Sequence, residues 1–214
     1  MIRSFVRVAA LASTCLMGAC ASSPPMHFYT LARIAPDTST AVPPGGVPIR
    51  LDRVRIPGEL DRMQLVQQID ATRLHISDQD RWAAPLEEMI VRVLSADLAA
   101  RLSPGLVLDP DTPARGERRS LSVNIQEFSM DAGCAITLRA DWSLTPVAAR
   151  FTASAGRVSP GAEADGASGS QELQAPSAGA CSGVGSQAEL MSRALAGLAD
   201  RIAAAVARPA STAH

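Results

Sequence analysis

Lysine is absent from this 214-residue chain, and aromatic residues make up only 3% of it. The seven aromatics (Phe5, Phe28, Tyr29, Trp82, Phe128, Trp142 and Phe151) are too few for a base-stacking platform or an aromatic carbohydrate cleft. Charge is also sparse. Charged residues account for 19% of the chain, and 20 arginines nearly cancel 21 acids to leave a formal charge of −1. That balance excludes a nucleic-acid binder working through bulk basicity, and equally a highly charged disordered tail. Histidine occurs three times, at His27, His75 and His214, never at ligand spacing from a cysteine, so no metal site is expected. What is abundant is apolar: 47% hydrophobic residues over a length suited to one ordinary domain, enough to bury a core.

The first twenty residues set the compartment. Arg3 and Arg7 precede an uncharged, mostly apolar run from Val8 to Met17, and the small residues Gly18 and Ala19 lead into Cys20. This is the pattern of a secretory signal peptide, and the run falls far short of the ~20 residues that span a bilayer. The string Leu16-Met17-Gly18-Ala19-Cys20 resembles a bacterial lipobox, whose cysteine sulfur receives a diacylglyceryl group before the signal is cut away and the new amine acylated. The mature chain is then expected to begin at Cys20 with a net charge of −3. Each buried methylene contributes about 0.8 kcal/mol, so two or three acyl chains make a lasting anchor. Ala21 and Ser22, rather than Asp, follow the cysteine; in enteric-type sorting this directs a lipoprotein to the outer membrane.

Four cysteines divide into three roles. Cys15 belongs to the signal and Cys20 to the lipid, which leaves Cys134 and Cys181 for a disulfide in an oxidising envelope or as two free thiols. A bridge closing about 47 residues would contribute roughly 4 kcal/mol in the chain-entropy model.

Periodicity predicts an α/β protein: a two-layer sandwich with two amphipathic helices on one face of a mostly antiparallel sheet of five to seven strands. Residues 1–19 are the signal peptide, 20–48 a lipidated N-terminus with a short strand at Phe28–Leu31 and a Pro/Gly-rich linker, 49–208 a single domain and 209–214 a tail. Ile49 and Leu51 alternate, and Val54 and Ile56 continue in the opposite phase, which predicts a bulge near Asp52-Arg53. Further strands are expected around Met63–Ile69, Leu74–Ile76, Leu106–Leu108, Leu121–Ile125, Cys134–Leu144 and Ala149–Ala153. Leu86, Met89, Ile90, Val93, Leu94, Leu98 and Leu102 make one helical stripe, with Pro85 at the first helical position and Ser103-Pro104-Gly105 as the stop. Residues 155–185, rich in Gly, Ala and Ser, read as a loop with at most weak strand content. Ser186-Gln187-Ala188-Glu189 reads as a capping box opening a second helix.

Catalytic signals are thin. There is no G-x-S-x-G string, and the Gly-rich stretches have neither the strand-to-helix context nor the lysine of a phosphate-cradling loop. His75 with Asp78 and Asp80 can mimic a base and its orienter, although a lone histidine on a strand's polar face is ordinarily a surface residue. Glu87 and Glu88 point about 100° apart on a helix and already complement its dipole. Arg50, Arg53, Arg55 and Arg62 can meet acidic headgroups or an acidic partner, or form a solvated face balanced by Asp52, Glu59 and Asp61. The chain therefore reads as a non-enzyme with no catalytic residue and no cofactor.

Taken in order after the lipobox, Phe28-Tyr29-Thr30-Leu31, then Leu60-Asp61-Arg62-Met63-Gln64-Leu65-Val66, then Trp82-Ala83-Ala84-Pro85-Leu86 resemble the ABC-type transport auxiliary lipoproteins, the PqiC (YmbA-like) group. The resemblance runs over most of residues 20–102, with an Ala-rich terminal helix in addition, and fits poorly over 146–185. It implies an outer-membrane lipoprotein, lipid-anchored through Cys20 on the periplasmic side. Such a protein works with an MCE (mammalian cell entry) protein and an inner-membrane transporter to move lipids across the envelope. It also implies Leu60, Asp61, Arg62, Gln64, Trp82, Pro85 and Leu86 as partner contacts, unless Trp82 and Leu86 seal the core. A homo-oligomer is compatible and nucleic acid is not. The alternatives are a stand-alone envelope enzyme or a structural lipoprotein contacting the cell wall.

Overall fold

A computed structural model describes residues 24–36, 46–111, 113, 116–131, 133–147, 168–175 and 184–207. The elements run β1 (His27–Tyr29), β2 (Ile49–Arg55), β3 (Gln64–Asp70), β4 (Arg73–Trp82), α1 (Leu86–Arg101), β5 (Arg118–Met130), β6 (Ile136–Val147), β7 (Ser168–Ala175) and α2 (Val184–Ala207). The expectation of one largely antiparallel sheet is corrected: the strands form two mixed sheets, ordered β1-β4-β3 and β2-β5-β6-β7. β1 pairs parallel to β4 and β2 parallel to β5, while the other pairs are antiparallel. The chain leaves β2, builds the β3–β4 hairpin and α1, and returns beside β2 as β5; such a crossover delivers a parallel neighbour.

Both helices lie on the four-stranded sheet as the periodicity requires. They pack against one another, α1 over β2 and α2 over β6 and β7. Pro85 is the N-cap of α1 rather than its first residue, and its carbonyl accepts the Met89 amide at 3.1 Å. Glu87 and Glu88 sit in the first turn and Arg101 in the last, each favourable to the dipole. α2 begins two residues before Ser186, so the capping-box reading gives way to a tertiary contact. The Gln187 amide, buried, donates to the Val66 carbonyl at 2.7 Å.

Two bulges set which residues reach the core. In β2 the register slips between Leu51 and Arg53, so Asp52 is the extra residue and Val54 returns to the face of Ile49 and Leu51. In β5 the slip between Ile125 and Glu127 moves burial from Leu121, Val123 and Ile125 to Phe128 and Met130. β6 needs none: Ile136, Leu138, Ala140, Trp142 and Leu144 are all buried. Leu106 and Leu108 bond across to Ile49 as a single bridge. β1 and Leu31 join this packed body as well, since β1 is a strand of the first sheet and Leu31 is buried.

β7 corrects the loop expectation for part of 155–185, pairing with β6 along its length. Gly169 lies opposite Trp142, and a Cβ there would sit 2.9 Å from the indole Nε1 and 3.0 Å from Cε2. Gly169→Ala is therefore expected to cost roughly 1–3 kcal/mol. The check is a lower urea midpoint with an unchanged slope. The signal peptide, Cys20, Cys181, the strand expected at 149–153, residues 37–45 of the linker and the tail lie outside the described residues.

Candidate functional site

Two polar clusters hold the N-terminal segment to the body. At the first, the Asp80 carboxylate accepts from Ser77 Oγ at 2.7 Å and from the Tyr29 hydroxyl at 3.2 Å, and meets His27 Nδ1 at 3.2 Å. The Ser77 hydroxyl chiefly holds the Asp80 carboxyl below the usual carboxylate range, with His27 and Tyr29 assisting against partial burial. Desolvation, followed by the Asp80 charge, pushes the Tyr29 phenol up. An ionised acceptor and a protonated phenol make a clasp pinning β1 to β4, with no activated nucleophile between them. The base-and-orienter reading of His75, Asp78 and Asp80 is corrected accordingly. Asp80 is committed to β1, and His75 and Asp78 are exposed on the hairpin.

The second cluster lies under the segment after β1. Asp97 Oδ1 accepts the Ile34 amide at 3.0 Å, and Arg101 donates to the carbonyls of Ile34 at 3.2 Å and Asp97 at 3.1 Å. Arg101 also lies 3.7 Å from Asp97 Oδ1 and reaches Asp200 Oδ1 on α2 at 2.5 Å. Asp97 is fully buried and Arg101 is 2% exposed. Burial pushes the Asp97 carboxyl up to about 6, opposed by the Ile34 amide and the Arg101 and Arg33 charges. Nearby, Ser192 Oγ accepts the Ala32 amide at 3.0 Å and donates to the Ala188 carbonyl at 2.7 Å. Composition did not single out these residues, but the helix pattern carries the signal. Asp97 and Arg101 sit on the same stripe as Leu94 and Leu98, where a polar side chain must find a buried partner.

The arginines of β2 are edge-strand residues. Arg50 pairs with Asp52, and Arg53 and Arg55 are exposed, as is Arg62 in the turn before β3. Burial opposes the charge on Asp52, yet the Ser120 hydroxyl and Arg50 outweigh it and hold the carboxyl low. A hollow of about 860 Å³ between α1 and residues 107–111 is lined by Val91, Ala96 and Leu108 together with Glu87, Glu88 and Asp109. Among the described residues no group of three or more His, Cys, Asp or Glu is placed to hold a metal ion. No helix among them is long and apolar enough to cross a membrane.

The sequence-derived contact residues separate into core and surface. Leu60, Trp82 and Leu86 are buried and belong to the core; Trp82 is 2% exposed, and its amide donates to the Met63 carbonyl at 2.7 Å. Asp61, Arg62 and Pro85 are exposed and Gln64 is half-buried. The Trp82–Met63 hydrogen bond draws the two segments together, so these four residues share one end of the first sheet, where β4 ends and β3 begins.

The family described as the ABC-type transport auxiliary lipoprotein component matches residues 29–203. The chain is 24% identical over 118 residues to the intermembrane transport lipoprotein PqiC of Escherichia coli (strain K12), a match covering 55% of this chain and 62% of that protein. The Shigella flexneri PqiC gives the same figures. The match thus spans less than two thirds of the length of these curated relatives. Among solved structures, an uncharacterized protein superposes with a TM-score of 0.62 at 15% identity, covering 86% of this chain and 99% of the other. A Xanthomonas campestris protein superposes with a TM-score of 0.56 at 10% identity, covering 86% and 96%. At these identities the structures speak for the fold alone.

Proposed function

Because the chain belongs to the family of ABC-type transport auxiliary lipoprotein components, we propose that it is anchored by acyl chains on Cys20 to the periplasmic side of the outer membrane. There it serves as the non-enzymatic partner of an MCE-type protein and an inner-membrane transporter that move lipid across the envelope. One observation carries this reading: the family-matched body starts nine residues after the lipobox cysteine, and its first strand is clasped into the sheet through Asp80. A protein whose N-terminal segment is so firmly built in is suited to hold a machine in place.

Asp61, Arg62, Gln64 and Pro85 form the assembly surface in this proposal. Photo-cross-linkers placed at positions 61, 62 and 64 in cells are expected to capture an MCE-type protein, identified by mass spectrometry. Recovery of only unrelated envelope proteins from all three positions would overturn the assignment.

The Cys134–Cys181 disulfide is part of the same proposal. β6 begins two residues after Cys134 and β7 ends six residues before Cys181, and Ile136 pairs with Ala175. Cys134 is buried just before the end of the β6–β7 ladder where Ile136 pairs with Ala175, and Cys181 follows that end by six residues of sequence. That placement is what supports the bridge.

A further inference from the structure

The six large apolar side chains that stand exposed among the described residues are Met26, Phe28, Met63, Ile69, Leu74 and Ile76, and all lie in or beside the three-stranded sheet. Phe28 is 64% exposed and Ile69 47%. We propose that the tip of the β3–β4 hairpin, with Ile69, Leu74 and Ile76, is a foot that rests in the headgroup layer of the membrane holding the lipid anchor. The inference rests on the anchoring of Cys20 proposed above and adds the orientation of the body.

Strand direction is the first argument. β1 runs parallel to β4, with Phe28 opposite Arg81. The chain arriving from Cys20 consequently enters on the side toward which the hairpin turn, Asp70–Arg73, projects. Length is the second. Gln64 is level with Arg81 and Asp70 with Arg73, so the turn projects six residues of β3 beyond Phe28, about 20 Å at ~3.3 Å each. Cys20 precedes Phe28 by eight residues and can reach at most about 28 Å, even fully extended. The turn thus comes within roughly 8 Å of the anchor's level, and headgroup layers are roughly 5–8 Å thick on each side. Any shortening of the tether brings the hairpin deeper.

Chemistry is the third. Asp70 is satisfied within the turn, accepting from the amides of Thr72 and Arg73 at 3.0 Å each and from Arg73 Nε at 2.6 Å. Arg73 is paired with Asp70 and Asp80 with β1, and the half-buried Arg81 lies at the far end of β4, which leaves Asp78 as the other exposed charge of the strand, so nothing near the turn draws anionic lipid. Contact must come from Ile69, Leu74 and Ile76, the apolar side chains the fold leaves uncovered. The assembly surface at Asp61, Arg62 and Pro85 lies at the opposite end of β4, facing away from this membrane.

Trp82 and Trp142 are buried, so an added tryptophan reports its own surroundings. The full acylated protein, reconstituted in phosphatidylcholine vesicles brominated along the acyl chain, provides the test for Leu74→Trp and Ile69→Trp. Interfacial segments sink about 5–10 Å, which should quench emission at these positions roughly twofold relative to plain vesicles. Glu87→Trp, past the far end of β4, should be unaffected. If the acylated variants float with the vesicles yet show no quenching at positions 69 and 74, the foot is wrong while the anchor stands. If mass spectrometry finds no acyl group on Cys20, anchor and foot fall together.

Discussion

Arg101→Met is expected to lower the thermal midpoint by roughly 10 °C. Arg101 is the sole cation that both touches Asp97 and closes the N-terminal segment onto α1 among the described contacts, through the Ile34 and Asp97 carbonyls. Methionine fills the volume but leaves a buried carboxylate with only the Ile34 amide and the Arg33 charge to offset its burial, and breaking a buried pair from one side costs about 3–5 kcal/mol. In a chain of this size each kcal/mol corresponds to about 2–4 °C. The Asp200 contact adds little to this, because Asp200 is 57% exposed and screened by water. The measurement is a calorimetric or circular-dichroism melt at pH 8. A shift below ~2 °C, the size of a surface effect, would show that Arg101 is dispensable to the latch.

The pH dependence of the same variant carries its own sign. Asp97 titrates near 6 when folded, above its unfolded value, so the folded state takes up the proton more readily. Its contribution to stability is complete below about pH 4 and is lost as pH rises through 6. A shift of about two units corresponds to roughly 3 kcal/mol at most. Asp97→Asn removes that slope between pH 4 and 6 while keeping an acceptor for the Ile34 amide. In Arg101→Met the deficit should shrink in acid, since a protonated Asp97 no longer needs its cation. Asp52, Asp70 and Asp80 have lowered values, so their contributions are lost only below about pH 4, outside this window.

Where one element alone decides burial, patterning in the sequence was sufficient. The α1 stripe, the β6 alternation and the phase change at Asp52 all describe a single segment meeting a single core, and each is found as read. Pairing between distant segments was not legible. β1 against β4 and β2 against β5 are parallel contacts across long stretches of chain, and nothing local in either strand encodes its neighbour's direction. β5 looked half its length because the bulge after Ile125 inverts the alternation. β7 escaped because an edge strand with Leu173 as its single aliphatic anchor is held by β6's backbone rather than by its own pattern. For the site, the ordered strings pick out two segments that meet at one end of the first sheet but could not divide them into inward and outward residues. That division depends on which face the opposite sheet covers.

Trp82→Ala tests that division most directly. Trp82 joins β1 through Tyr29, closes β4 against Met63 and is wholly enclosed. Removing its side chain should cost about 3–5 kcal/mol, again near 10 °C in the melt. Arg62 makes the contrast, since it is exposed two residues before β3. Arg62→Ala should stay within about 0.5 kcal/mol of the parent and still weaken in-cell capture of the proposed MCE-type partner from position 61. In Trp82→Ala, by comparison, lost capture should track lost abundance and return when the protein is stabilised by lower growth temperature. If Trp82→Ala melts with the parent and abolishes capture, the indole is a contact residue, and the packing of β1 on β4 has been misjudged.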